Sequence, residues 1–159
     1  MEWLDVAIQI EVEGEKFYRK LSDSADHEGM ERIFAMLAND EIQHRKTFEA
    51  LKGGTPDVAE PSRVLKESAQ VFKTFKEKDF SSQQTQLDLY RKALEIEEKS
   101  IEFYKQQLES VDDDAQLEVL GRIIGEEQDH YALIDNIIIA VERPESWVEH
   151  AEFGLREDY

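Results

Sequence analysis

The sequence predicts an all-α chain, an antiparallel four-helix bundle with a long crossover between the second and third helices. Three observations carry that prediction. Apolar residues recur in alternating steps of three and four along four long stretches. Only three prolines and seven glycines punctuate 159 residues, which leaves room for long helices. The chain also repeats itself: residues 7–21, AIQIEVEGEKFYRKL, match residues 93–107, ALEIEEKSIEFYKQQ, at an offset of 86.

The first helix is expected from about Trp3 to Leu21, with Leu4, Ala7, Glu11, Gly14, Tyr18 and Leu21 on its inner stripe. Ser22, Asp23, Ser24 and Asp26 break the pattern and offer caps for the next helix. That second helix, roughly Glu28 to Leu51, stops at Gly53-Gly54. Residues 53–81 read as the crossover, with one short helix from Arg63 to Lys76 started by Ser62. Val64, Leu65, Val71, Phe72 and Phe75 form its apolar side, and its aromatic residues are expected to pack on the outside of the bundle. A lid over a site or a dimer contact are the other readings of this stretch. The third helix is expected from Ser82 to Ser110 with Leu87, Tyr90, Leu94, Glu97, Ile101, Tyr104 and Leu108 facing inward. An aspartate of Asp112-Asp113-Asp114 caps the fourth, which ends before Pro144. The tail, 144–159, carries Trp147, His150 and Phe153 and reads as a short helix docked on the bundle or on a neighbouring subunit. The whole, 1–159, reads as one domain of two hairpins, about 3–52 and 82–143.

Two segments carry chemistry, Asp40-Glu41-Ile42-Gln43-His44 and Glu126-Glu127-Gln128-Asp129-His130. In a helix, residues three apart leave the same face one turn apart. Here that face is apolar: Met30, Phe34 and Leu37 precede Glu41 and His44, and Phe48 and Leu51 follow. Leu117, Leu120 and Ile123 or Ile124 precede Glu127 and His130, with Ile134, Ile137 and Val141 beyond. A single Glu-x-x-His in an acidic helical protein reads as a surface ion pair. Two of them, on apolar stripes and at the repeat offset of 86 that also relates Glu11 to Glu97 and Tyr18 to Tyr104, read as a metal site. Four carboxylates cannot share a dry interior uncompensated, and two divalent ions supply the matching charge. Oxygen-rich ligands with one nitrogen per ion and no sulfur suit iron or manganese, and zinc as a substitute; calcium or magnesium has little use for the histidines. Tyr18 and Tyr104 are placed to bond a ligand carboxylate or simply to pack. Gly14 and Ser100, equivalent in the repeat, open a small pocket or allow close helix packing. His27 and His150 read as surface residues, and Glu13, Glu15, Glu95 and Glu102 as solvated.

Composition sets the outer limits. The 37 acidic residues against 19 basic give a net charge of -18, which argues against nucleic acid or an anionic membrane as partner. The absence of cysteine excludes disulfides, iron-sulfur clusters and thiolate metal sites within this sequence. The apolar run from Ile137 to Val141 is too short to span a bilayer. The N-terminus has neither a basic start nor an apolar run, so the expected location is cytoplasmic.

The arrangement resembles the ferritin-like di-iron carboxylate proteins, in which two helices each give a Glu and two each give a Glu-x-x-His. Glu-x-x-His on both second and fourth helices, and the phrase Glu-Gly-Glu-Lys-Phe-Tyr in the first, are most similar to the small rubrerythrin-related proteins without a rubredoxin domain. That resemblance implies two iron ions held by Glu11, Glu41, His44, Glu97, Glu127 and His130, with Tyr18 and Tyr104 beside them. It implies oxidation by hydrogen peroxide or dioxygen and, because the four cysteines of a rubredoxin domain are missing, an external electron-donor protein. A further Glu that such proteins carry one turn beyond the third-helix ligand is Ser100 here; Glu98, Glu95 and Glu15 are the candidates to replace it. A homodimer is expected. The alternatives are an iron-handling protein, a ferroxidase feeding storage, that holds the same ions without turnover, and a bundle whose metals serve folding alone.

Overall fold

The computed structural model describes residues 2–55 and 59–149. It is an all-α, ferritin-like bundle built from two helical hairpins. The first pairs α1 (Trp3–Ser24) with α2 (Glu28–Gly53), and the second pairs α5 (Leu87–Leu108) with α6 (Asp114–Glu142). Within each hairpin the two helices pack along their length, whereas α1 and α5 meet more sparingly. The crossover between hairpins contains two short helices, α3 (Val64–Phe72) and α4 (Glu77–Ser81), and a 3-10 turn, Gln84–Gln86.

The helix ends follow from local chemistry. Gly54 takes φ 72°, a left-handed conformation, so the chain can fold back and donate Gly54 N–H to Leu51 O and Thr55 N–H to Ala50 O. Asp113 caps α6 by accepting the Gln116 N–H at 3.0 Å. The start of α2 departs from expectation. None of Ser22, Asp23, Ser24 or Asp26 caps it; His27 does, its Nδ1 accepting from Gly29 N and Met30 N. His27 is therefore half-buried, with its ring against Phe75 and its Nε2 3.3 Å from Asp79, and is not the free surface residue that its position off the inner stripe suggested. Gly29 is needed there, since a Cβ would fall 2.5 Å from the Phe75 ring.

The crossover differs from its sequence reading in two ways. The helix expected from Arg63 to Lys76 ends early, at Phe72, with a second short helix beyond it, and the next long helix begins at Leu87, not Ser82. The Gln84–Gln86 turn is held by side chains: Tyr90 donates to buried Gln83, and Gln84 donates to Val141 O. Phe72, Phe75 and Phe80 are also fully packed, joining Val64 and Val71 in one apolar cluster with α2 and α6. Burying such rings contributes about 2 to 3 kcal/mol each, enough to hold a segment with little regular structure of its own. Leu108, expected on the inner stripe, is 37% exposed because α5 ends there. In the tail, Pro144–Glu149 forms a 3-10 helix that packs against α4 and α6. The Trp147 side chain, His150 and Phe153 lie outside the described residues.

The core is in two parts. One cluster holds Met30, Ile33, Phe34 and Leu37 with Leu133, Ile134 and Ile137. The other holds Leu4, Ala7 and Phe48 with Leu120, Ile123 and Ile124. Between them in sequence, on all four long helices, come the carboxylates and histidines.

Candidate metal centre

The six residues marked by the repeat converge. Glu11 comes from α1, Glu97 from α5, Glu41 and His44 from α2, and Glu127 and His130 from α6; none is more than 2% exposed. Two overlapping groups form, Glu11, Glu41, His44 and Glu127, and Glu41, Glu97, Glu127 and His130. In each, one ligand-type atom per residue lies within 4.8 Å of all the others. Glu41 and Glu127 belong to both. The halves mirror each other: His44 Nδ1 is 3.2 Å from Glu11 and 3.0 Å from Glu127, and His130 Nδ1 is 3.1 Å from Glu97 and 3.3 Å from Glu41. The imidazole rings stack at 5.9 Å.

The donor set tests whether a metal fits. Among the described residues, Glu41 Oε1, Glu97 Oε1 and both oxygens of Glu127 are buried without a well-aligned hydrogen bond, although His130 Nδ1 stands 3.3 Å from Glu41 Oε1 and His44 Nδ1 3.0 Å from Glu127 Oε1. An orphaned acceptor in a dry interior costs about 1 to 3 kcal/mol, more when charged, so four clustered together are costly unless a cation meets them. Hard oxygens with one imidazole nitrogen per group fit a pair of divalent transition ions.

Within the cluster each charge acts on its neighbours. Burial pushes Glu41 up to about 8, assisted by the charges of Glu11 and Glu97. Burial likewise drives Glu127 well above the usual carboxylate range, with Glu11, Glu41 and Glu97 adding to it. Burial alone would lower both histidines, but it is outweighed: Glu11 raises His44, and Glu97 raises His130. For Glu97 burial also works upward, and the charge and hydrogen bond of His130 reverse it.

Tyr18 donates its hydroxyl to Glu97 and Tyr104 donates to Glu11, so each tyrosine reaches the glutamate of the other hairpin. Burial, then the charge of that same glutamate, raises both phenols well above the ordinary value and keeps them protonated donors. Gly14 makes room for the site, since a Cβ there would fall 2.5 Å from Glu41 Oε2. Ser100, its counterpart in the repeat, turns its hydroxyl back to Ile96 O at 2.9 Å. Neither Glu98, Glu95 nor Glu15 enters either group; Glu95 is exposed and pairs with Lys99 at 2.9 Å.

Sequence reasoning missed an outer pair. Asp40 Oδ2 lies 2.8 Å from His130 Nε2, and Glu126 Oε1 lies 2.8 Å from His44 Nε2. Burial works upward on both carboxyls, but their bonds to His130 and His44 outweigh it and hold them below the ordinary range. Their signal was available: they too are 86 residues apart, each just ahead of an inner glutamate.

A four-helix bundle enclosing a buried layer of four glutamates and two histidines in Glu-x-x-His pairs defines the class of ferritin-like carboxylate proteins. Within that class the chain belongs to the rubrerythrin family, whose model, described as Rubrerythrin, matches residues 2–138. No curated protein and no solved structure matches the chain. Family and cluster together fit a di-iron protein. Among the described residues no helix is long and apolar enough to cross a membrane.

Proposed function

We propose that Glu11, Glu41, His44, Glu97, Glu127 and His130 hold two iron ions and that the protein, a single domain, reduces hydrogen peroxide or dioxygen with electrons from an external donor. The observation that carries this reading is the convergence of four buried glutamates into two overlapping groups that each include one imidazole nitrogen. Glu11 and His44 would hold one ion and Glu97 and His130 the other, with Glu41 and Glu127, which belong to both groups, available to either. Two ferrous ions, when bound, would supply one electron each, which with two protons is what converts one peroxide to two waters.

The chain's own residues then have defined tasks. Each histidine turns Nδ1 inward and has Nε2 against an outer carboxylate, an arrangement that fixes ring orientation and leaves Nδ1 as the ligand nitrogen. Tyr18 and Tyr104 remain protonated and steady Glu97 and Glu11 as charge in the site changes. Gly14 lets the Glu41 carboxylate occupy its shared position. The apolar clusters on either side keep bulk water from competing for the ligands.

Anaerobic loading with ferrous iron, followed by stopped-flow mixing with peroxide or dioxygen, tests the proposal. Two iron ions per chain, rapid oxidation with peroxide preferred, and repeated turnover with an added reductant are expected. Oxidation that stops after one round would establish iron handling instead. Binding without oxidation would reduce the ions to a folding role.

A further inference from the structure

Ser62 lies in the crossover just ahead of α3, outside the six inner residues and their tyrosines. Its hydroxyl donates to Asp40 Oδ2, the oxygen that also meets His130 Nε2. Its backbone N–H donates at 2.9 Å to Glu126 Oε2, whose other oxygen meets His44 Nε2. One residue therefore touches both outer carboxylates, one from each hairpin. The serine is itself held in place. Its Oγ accepts the Val64 N–H at 3.2 Å, and Arg122 reaches back to Ala59 O and Thr47 Oγ1, tying the incoming strand of the crossover to α2 and α6. Asp40 and Glu126 are 16% and 12% exposed at the edge of a cleft of about 420 Å3, so without Ser62 each could swing toward water.

We propose that Ser62 is a positioning residue for both halves of the centre, fixing His130 through Asp40 and His44 through Glu126. The proposal rests on the two-ion reading for its effect on metal, but the clamp itself exists without metal. The two arms are chemically distinct. The side-chain hydroxyl serves only the Asp40 arm, while the Glu126 arm uses a backbone N–H that any residue except proline supplies. Removing the hydroxyl should loosen one histidine and spare the other, a separation that general damage to the fold would not produce.

The test uses the full chain labelled with 15N-histidine. In the metal-free protein, Ser62→Ala and Asp40→Asn should each move the His130 Nε2 resonance and leave that of His44 in place. Glu126→Gln should do the reverse, and Ser62→Thr should restore the original His130 signal. Titration with zinc should then show Ser62→Ala weakening one of the two ions by about 10-fold or more, with the other unchanged. An unmoved His130 resonance, or equal movement of both histidines in Ser62→Ala and in Asp40→Asn, would overturn the clamp. If the unsubstituted protein bound no zinc but His130 still responded to Ser62→Ala, the ligand reading would fall and the clamp would stand.

Discussion

Gly14→Ala separates what the metal needs from what the helix prefers. Glycine inside a helix is about 1 kcal/mol less favourable than alanine, so α1 alone should gain from the change. The new Cβ, however, would stand 2.5 Å from Glu41 Oε2, while it would meet Glu41 Cδ and Cγ at tolerable distances of 3.4 and 3.5 Å. Only the carboxylate tip must move, by close to 1 Å to reach ordinary contact, and a flexible side-chain end can do that cheaply. In the metal-free protein the helix gain should prevail, raising the melting temperature by about 2 to 4 °C for a chain of this size. In the metal-loaded protein the displaced carboxylate belongs to both groups. Affinity for both ions should therefore fall, by roughly 10- to 100-fold as for other displacements of ligand support. Calorimetric melting of the metal-free protein and chelator-competition titration with cobalt or zinc read the two effects separately. Unchanged affinity, or loss confined to one ion, would refute the shared placement of Glu41. A metal-free melting temperature several degrees lower would show that its carboxylate has no room to retreat.

The shared and unshared glutamates should differ in the same titrations: Glu41→Ala and Glu127→Ala should abolish tight binding of both ions, and Glu11→Ala or Glu97→Ala of one, as counted by metal analysis. Tyr18→Phe and Tyr104→Phe each remove a buried donor to a carboxylate, which should cost about 1 to 3 kcal/mol of metal-free stability in urea titration. Stability without metal should also depend on pH. Glu41, raised to about 8, and Glu127, His44 and His130, all raised, contribute stability at low pH that is lost as pH rises through their folded values. Glu97 and Glu126, lowered from 4.5, and Asp40, lowered from 3.8, contribute stability above those values that is lost as pH falls through their folded values. Melting of metal-free protein should thus be highest near pH 4.5 and decline toward pH 8, and saturating zinc should remove the decline; a flat profile without metal would contradict the direction of these shifts.

The long helices and the six inner residues were legible because two regularities act together. A period of three and four marks which side of each helix meets the core, and the offset of 86 shows that charged residues on that side recur by design. Period reading sees one face at a time, which is also where it stopped. Asp40 and Glu126 sit one residue from Glu41 and Glu127, about 100° around the helix, a direction that a lone helix would give to solvent. The crossover occupies that direction instead, bringing Ser62 between them. Its course was illegible because α3 and α4 are too short for a clear period and are fixed by the tertiary burial of Phe72, Phe75 and Phe80. His27 was misread for a related reason: its ring serves the helix end through Nδ1, a task independent of the inner stripe.

Four of the bonds around the centre cross from one hairpin to the other. Tyr18 of α1 holds Glu97 of α5, Tyr104 of α5 holds Glu11 of α1, His44 of α2 meets Glu126 of α6, and His130 of α6 meets Asp40 of α2. Each four-residue group likewise draws on both hairpins, Glu127 completing the half that contains Glu11 and His44, and Glu41 completing the half that contains Glu97 and His130. Neither hairpin alone holds a complete group. The direct contact of α1 with α5 is slight beside that within each hairpin, so the polar layer is a principal junction between the two halves of the bundle. In the absence of metal, burial and the neighbouring carboxylates favour protons on Glu41 and Glu127, and the same carboxylates favour protons on His44 and His130, which eases repulsion across that junction. Ions that displace those protons would join the same groups more strongly, so proton release, metal uptake and closure of the two hairpins are one linked equilibrium.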